Sequence, residues 1–358
     1  MKTLKTMLIA CMALALGLVQ AAQACTTFQI QKQGQVYYGR NYDWMVAEAL
    51  VLINKRGTKK ASYLRRTDKG RPMEWTSKYG SLTFNQYGRE MPTGGMNQAG
   101  LVVESMALHA TEYPPHDERP YLASNLIWKQ YVLDNFATVD EAVAGIKKVR
   151  ISQPPKSLGT HYLISDAKGG CAIIEFLDGK LVVHQGKSLP IRALTNNTYE
   201  ESLQAFNKGG PVSRDWWDSI PRFKITAKMM QAYGADPKQP PLDYAFEVLK
   251  AASQKLTQWS IVYDQNNLKI YYFTKNNPKL RSIDLKKLDM ACGQPVLMLD
   301  VDAGGKGDIT SEFKPYTLAA NHDLIVRTFG NTPMFKNIPQ QVLKRLAAFP
   351  EKCKCVKP

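Results

Sequence analysis

Ala22-Gln23-Ala24-Cys25-Thr26-Thr27-Phe28 is the stretch on which the reading of this chain turns. Upstream of it, Lys2 and Lys5 form a short basic region and residues 7–19 are apolar. Ala22-Gln23-Ala24 then supplies the small-residue A-x-A pattern of a cleavage site, completing the three parts of a secretory signal. Downstream, an alternating, strand-like segment begins. Cleavage before Cys25 makes residues 1–24 a signal peptide and 25–358 the mature chain, with a thiol and a free α-amine on its first residue. That combination is a nucleophile with its own proton acceptor. The apolar run is shorter than the roughly 20 residues of a membrane span. The expectation is therefore a periplasmic or secreted protein without stable membrane insertion. A lipoprotein cysteine is the competing reading. It asks for Leu three residues before the cysteine and a small residue two before, where this chain has Ala22 and Gln23.

The composition bounds the rest. A chain of 358 residues with 44% hydrophobic content buries a large core, which excludes a disordered protein. The formal net charge is +16, but the basic residues are scattered and form no nucleic-acid motif, so no nucleic-acid partner is expected. Without Cys11, which leaves with the signal, the cysteines are Cys25, Cys171, Cys292, Cys353 and Cys355. Their number is odd, so in an oxidising compartment at least one thiol stays free or pairs with another molecule. Cys171 lies in the apolar run Cys-Ala-Ile-Ile-Glu-Phe and reads as a small buried residue. Cys292 with Cys353 or Cys355 is a candidate tie for the tail.

Strand patterns lead the mature chain, at residues 25–31, 36–38, 51–54, 79–83 and 100–108. With Gly34 as the turn, Cys25 opens a hairpin. Helices follow at 121–135 and 139–149, the second announced by Thr138 with Glu141 three residues on. Strands return at 161–165, 171–176, 180–184 and 192–195, then helices at 199–206, 218–233 and 243–256. A late β section, 259–264 and 270–274, precedes a less regular tail after Asp300. No internal repeat or linker interrupts the chain, and two sheets faced by helices in a single domain is the economical architecture.

Cutting an amide without a metal requires an activated nucleophile, a proton shuttle and donors for the developing oxyanion. A thiol titrates near 8.5 and an α-amine near 7.7 to 8.0, both about the working pH. In Gly39-Arg40-Asn41-Tyr42-Asp43-Trp44, the hairpin's second strand returns beside Cys25. There Arg40 favours a thiolate and Asp43 offers the amine a charge-assisted hydrogen bond.

Further segments carry a family resemblance. In order they are Cys25-Thr26, Gly39-Arg40-Asn41-Tyr42-Asp43-Trp44, Gly95-Met96-Asn97-Gln98-Ala99-Gly100-Leu101, Leu194-Thr195-Asn196-Asn197 and Pro221-Arg222-Phe223. This order resembles the choloylglycine hydrolase and penicillin V acylase family of N-terminal-nucleophile cysteine amide hydrolases. Residues 74–80 and 130–142 resemble the branch found in Gram-negative bacteria. The resemblance implies an α+β fold, the four-layer αββα sandwich. It implies that Cys25 attacks the amide carbonyl while its α-amine takes and returns the proton, through an acyl-thioester. Arg40 and Asp43 match residues that orient and tune the cysteine, Asn196 matches an oxyanion donor, and Arg222 matches a second arginine of the site. Neither a metal nor an organic cofactor is implied. A homo-oligomer stays open.

The departures are specific. Where bile-salt hydrolases have an asparagine, this chain has Ala107, so the second oxyanion donor becomes a backbone N–H near Ala107. The stretch between Asn196 and Arg222 is much shorter than in bile-salt hydrolases, where an insertion helps build a tetramer, and Thr198 replaces a proline. Trp44, Trp216 and Trp217 are candidates for lining an acyl pocket. The five histidines (His109, His116, His161, His184, His322) show no metal-ligand spacing and read as structural or solvated. Ser105 and Ser165 lack a nucleophile-elbow context. The expected substrate is a small-molecule acyl amide such as penicillin V or an N-acyl homoserine lactone. The alternatives are a conjugated bile salt cleaved by the same mechanism, or no catalysis at all in an envelope binding protein or lipoprotein.

Overall fold

The computed structural model describes residues 25–64, 68–153, 157–210, 219–236 and 239–356. The expected signal peptide 1–24 lies outside them, as do Trp216 and Trp217. Cys25 leads directly into β1 (Thr26–Lys32), which turns back as β2 (Gln35–Asp43). The turn is tight: Gln33 has φ 48° and Gly34 φ 78°, the left-handed pair that matches a two-residue hairpin to the twist of its strands. The register sets Thr26 opposite Asn41 and Thr27 opposite Arg40, so the far end of β2 lies beside Cys25. β2 runs five residues beyond the segment its alternation marks. Residues 39–43 are polar in pattern yet buried throughout, because they fill the middle of a sheet at the site.

The remaining strands of the two large sheets follow in chain order. They are β3 (Leu50–Asn54), β4 (Ser81–Asn85), β5 (Gly94–Asn97), β6 (Val102–Ala107), β7 (Thr160–Ser165), β8 (Cys171–Leu177), β9 (Lys180–Gln185) and β10 (Ala193–Leu194). Then come β11 (Thr257–Asp264), β12 (Lys269–Thr274), β13 (Arg281–Asp284), β14 (Leu297–Asp300), β15 (Gly307–Asp308) and β16 (Lys314–Pro315). One sheet has the order β10-β1-β2-β11-β12-β13-β15, the other β9-β8-β7-β6-β5-β4-β3-β14-β16. The sheets pack face to face. Phe28 and Tyr38 of the first meet Val51, Phe84, Met96 and Leu163 of the second in one buried cluster.

Alternation along β6 sends Val102, Glu104 and Met106 toward the facing sheet, and Val103 and Ser105 to the outer face. Glu104 reaches Arg40 (Oε2 to Nε 3.5 Å) and accepts from Tyr263 Oη at 2.6 Å. Gly94, opposite Glu104 in the register, makes this possible, since a Cβ there would stand 2.0 Å from the carboxylate. Helices α1 (Asn125–Asn135) and α2 (Val139–Ile146) cover the outer face of the second sheet. α3 (Tyr199–Asn207), α4 (Ser219–Ala235) and α5 (Pro241–Ala251) lie on the first sheet. The layering is helix, sheet, sheet, helix, as expected of an αββα fold.

Several boundaries differ from the sequence reading. The helix expected over 121–135 starts at Asn125, capped by Ser124, whose Oγ accepts from Ile127 N at 3.2 Å. Tyr121–Leu122 instead pair in parallel with Arg150–Ile151, which also ends the second helix at Ile146. Their apolar side chains continue the helical spacing and hide the break. The helix expected over 243–256 begins at Pro241 and stops at Ala251, with proline in its first turn, where its missing N–H costs nothing. The tail after Asp300, expected to be less regular, carries α6 (Leu318–Asn331) and α7 (Gln340–Ala348). Thr317 caps α6, and Tyr87, Ile325 and Phe329 pack its inner face.

A disulfide between Cys292 and Cys355 (Cα–Cα 5.3 Å) ties this tail down, while Cys25, Cys171 and Cys353 remain thiols. It closes a loop over a sequence separation of 63. Cys355→Ser is expected to lower stability by about 2–4 kcal/mol in denaturant titration. Cys353→Ser, which breaks no bond, leaves the midpoint where it is.

Candidate active site

Five segments of the chain meet at the N-terminal end of β1. The hairpin brings Arg40 to Cys25, where Arg40 Nη2 donates to Cys25 Sγ at 3.2 Å and Nη1 to Met106 Sδ at 2.8 Å. On the other flank, β10 pairs with β1 with Leu194 opposite Thr27, which delivers Asn196 to the same end. From α4, Arg222 Nη1 donates to Cys25 O and to Thr26 Oγ1, and Nη2 donates to Asn196 Oδ1 at 3.0 Å. That bond orients the Asn196 amide, and its Nδ2 donates to Ala107 O at 2.8 Å. Thr198 caps α3 together with Glu201.

Asp43 closes the cluster. Its carbonyl accepts from Cys25 Sγ at 3.8 Å, and its Oδ1 accepts from Thr257 Oγ1 at 2.5 Å. Its Oδ2 is buried and has no hydrogen-bond partner among the described residues. Burial pushes the Asp43 carboxyl up to about 6, against the pull of Arg222, the Thr257 hydroxyl and Arg40. Burial likewise raises the Cys25 thiol, opposed first by Arg40, while the Asp43 charge adds to the rise. Arg40 itself keeps its charge: burial works against it, but Cys25 and Glu104 outweigh that cost.

A cavity of about 200 Å³ opens above the thiol. Cys25, Arg40, Asp43, Trp44 and Ala107 line it, with apolar walls from Tyr87, Met91, Leu126 and Phe329. The structure thus gathers all five candidate catalytic residues into one hydrogen-bonded group and sets both candidate binding residues on its cavity. Among the described residues no group of three or more His, Cys, Asp or Glu is arranged to hold a metal. No helix among them is long and apolar enough to cross a membrane.

Several contributors escaped the sequence. Thr257, at a register shift in β11, and Glu104, in a strand that reads as ordinary core, carry no motif. His161 touches no substrate-facing atom, yet its Nε2 donates to Thr195 O at 2.7 Å and its Nδ1 lies 2.8 Å from Glu175 Oε1. The same Glu175 oxygen accepts from Tyr199 N at 3.0 Å. Both ends of the loop bearing Asn196 are therefore fastened to one buried pair. Proximity in the fold was the only signal that could have found it.

Helix–sheet–sheet–helix layering with a strand-leading thiol at its centre is the architecture of the N-terminal-nucleophile hydrolase class. Residues 25–235 match the model of the linear amide C-N hydrolases, choloylglycine hydrolase family. The chain belongs to that family. It is 30% identical over 292 residues to a penicillin V acylase of Pectobacterium atrosepticum, covering 68% of this chain and 77% of the relative. The solved penicillin V acylase of Agrobacterium tumefaciens is similar at TM-score 0.69 and 28% identity, over 82% of this chain and 98% of that one. A variant of the conjugated bile acid hydrolase of Clostridium perfringens shares the fold at TM-score 0.66 and 20% identity, over 80% of this chain and 99% of that one. The protein is an amidohydrolase acting on linear C–N bonds of small molecules.

Proposed function

We propose that Cys25, once residues 1–24 are removed, is the nucleophile of a hydrolase for acyl amides of the penicillin V or N-acyl homoserine lactone type. The observation that carries this reading is the Cys25 thiol on the floor of an apolar cavity, with Arg40 on its sulfur and an unpartnered Asp43 oxygen nearby. Freeing the amine supplies a proton acceptor on the nucleophile's own residue; once it holds the thiol proton it is the cation that Asp43 Oδ2 lacks, and it stabilises the thiolate. The α-amine takes the thiol proton as sulfur adds to the carbonyl carbon. The same proton passes to the leaving nitrogen as the C–N bond breaks, giving a thioester and a free amine. Water, deprotonated by the α-amine, then adds to the thioester, and the carboxylic acid leaves as sulfur recovers its proton.

For the oxyanion, Asn196 Nδ2 has a second N–H beyond the one given to Ala107 O. Leu108 N donates to Gly159 O, so the N–H of Ala107 points to the opposite edge of β6, past the last register pair with β5. It is the second donor. Trp44 belongs to the acyl pocket.

The cavity size favours the smaller acyl groups. An apolar cavity of about 150 Å³ takes a benzene ring, so 200 Å³ suits one ring or a modest chain better than the fused rings of a bile acid. Location in the periplasm or outside the cell is supported by the Cys292–Cys355 disulfide, which an oxidising compartment maintains. The test is the initial rate of amine release by the processed protein on penicillin V, a long-chain acyl homoserine lactone and glycocholate. Turnover of either of the first two, at least about 10-fold faster than glycocholate, is expected from the fit of one ring or chain against several. Faster release from glycocholate would move the assignment to bile salts.

A further inference from the structure

Lys129 is the anomaly of the cavity. It projects from α1, on a helix face otherwise packed against the second sheet, and its side chain is wholly buried. Its Nζ donates to Ser105 Oγ at 2.7 Å, and Ser105 Oγ in turn lies 3.4 Å from Thr93 O. Nζ also stands 5.9 Å from the centre of the Tyr162 ring. Both Lys129 and Ser105 line the cavity that holds the Cys25 thiol.

An ammonium has three donors, and Ser105 takes one of them. Burying such a group among apolar walls is expensive unless its hydrogens are met. The carboxylate whose charge acts on it, Glu104, is committed to Arg40 and Tyr263. Burial accordingly pulls the Lys129 ammonium down to about 7, against the attraction of Glu104. The cavity therefore contains a strong donor whose natural complement is an acceptor brought in from outside.

We propose that Lys129, held by Ser105, anchors an uncharged acceptor oxygen on the acyl group. The preferred substrates are then amides whose acyl part carries an ether or keto oxygen near the scissile carbonyl, rather than plain hydrocarbon acyl amides. This rests on the reading of the cavity as the acyl pocket. An acidic acyl group fits less well, because Asp43 already sets a carboxyl group on the cavity. Phenoxyacetyl and 3-oxoacyl groups both meet the requirement, each with an oxygen on the third position of the chain.

The experiment compares two probes that differ by one oxygen for one methylene, phenoxyacetylglycine and 3-phenylpropanoylglycine. Their affinities are measured by calorimetry on the processed chain with Cys25→Ala, and again with Lys129→Met added. At about pH 6, where Lys129 carries its proton, the ether is expected to bind about 10- to 100-fold tighter with Lys129 in place, the range for a hydrogen bond to a charged donor. In Lys129→Met the ratio falls to near one. An unchanged ratio in that variant overturns the proposal. So does a ratio near one with Lys129 present, a result that decides the matter even where Lys129→Met fails to fold. Turnover of the same probes by the wild type separates the two claims. An ether preference without turnover sinks the hydrolytic role of Cys25 and sustains the subsite; turnover with equal affinities does the reverse.

Discussion

Cys25→Ala is expected to lower amine release by a factor of about 10⁴ or more, leaving at most the residual rate that binding and oxyanion donors supply without a nucleophile. Loss of the thiol alone would not distinguish an N-terminal nucleophile from an ordinary cysteine. The decisive companion is a chain that retains Ala24. It keeps the Cys25 sulfur, the Arg40 contact at 3.2 Å and the whole cavity, but its Cys25 nitrogen is an amide that accepts no proton. That chain is expected to be as inactive as Cys25→Ala, and removal of residue 24 restores the rate. The measurement is the initial rate together with the intact mass of the protein after mixing with substrate. Processed wild type shows the added acyl mass on Cys25, and neither control does. Equal rates for the processed and Ala24-retaining chains would exclude the α-amine as the base.

The second large effect concerns Asp43, where activity and stability are expected to move in opposite directions. Its carboxyl is raised to about 6 in the fold, from an ordinary value of 3.8. Between these values the folded chain holds a proton that the unfolded chain has lost, so this group's contribution to stability is full below pH 4. It is lost as pH rises through 6. Keeping Asp43 ionised at pH 8 therefore weighs against folding in the chain that retains Ala24. In that chain Asp43→Asn is expected to gain about 1–3 kcal/mol at pH 8 and nothing at pH 4, read from urea midpoints. In the processed chain the same substitution removes the carboxylate facing the freed amine, and kcat/KM falls on the order of 10³. A variant that loses stability at pH 8 and keeps its rate would show that Asp43 is structural.

The site was legible where chemistry requires a residue type at a fixed place along the chain. Cys25 follows from the cleavage pattern, and Arg40 and Asp43 follow from the hairpin, because antiparallel pairing at a two-residue turn dictates which residues face the first. Asn196 and Arg222 came from a resemblance, since nothing local marks either as active. What stayed hidden depends on contacts across the sheets. Glu104 sits in an apolar strand and is tolerated only because Gly94 leaves room for it. Lys129 sits in a helix whose spacing accounts for core residues on either side, and only the cavity shows what its charge faces. The two C-terminal helices were missed for a different reason. Asn, His, Thr and Gly dilute the apolar stripe of α6 to a few positions, and its buried face is small.

Arg222 reaches back across 197 residues to hold the carbonyl of Cys25. Contacts of such separation form late in folding, because a long loop must close before they reward the chain. They also arrive late in synthesis: at about 5–20 residues per second, roughly 10–40 s pass between the emergence of the thiol and that of the guanidinium that seats it. Thr257, which holds Asp43, is later still. Until then the polypeptide carries a cysteine with only its own hairpin beside it. The site is complete only once the segments carrying Arg222 and Thr257 have docked on the first hairpin.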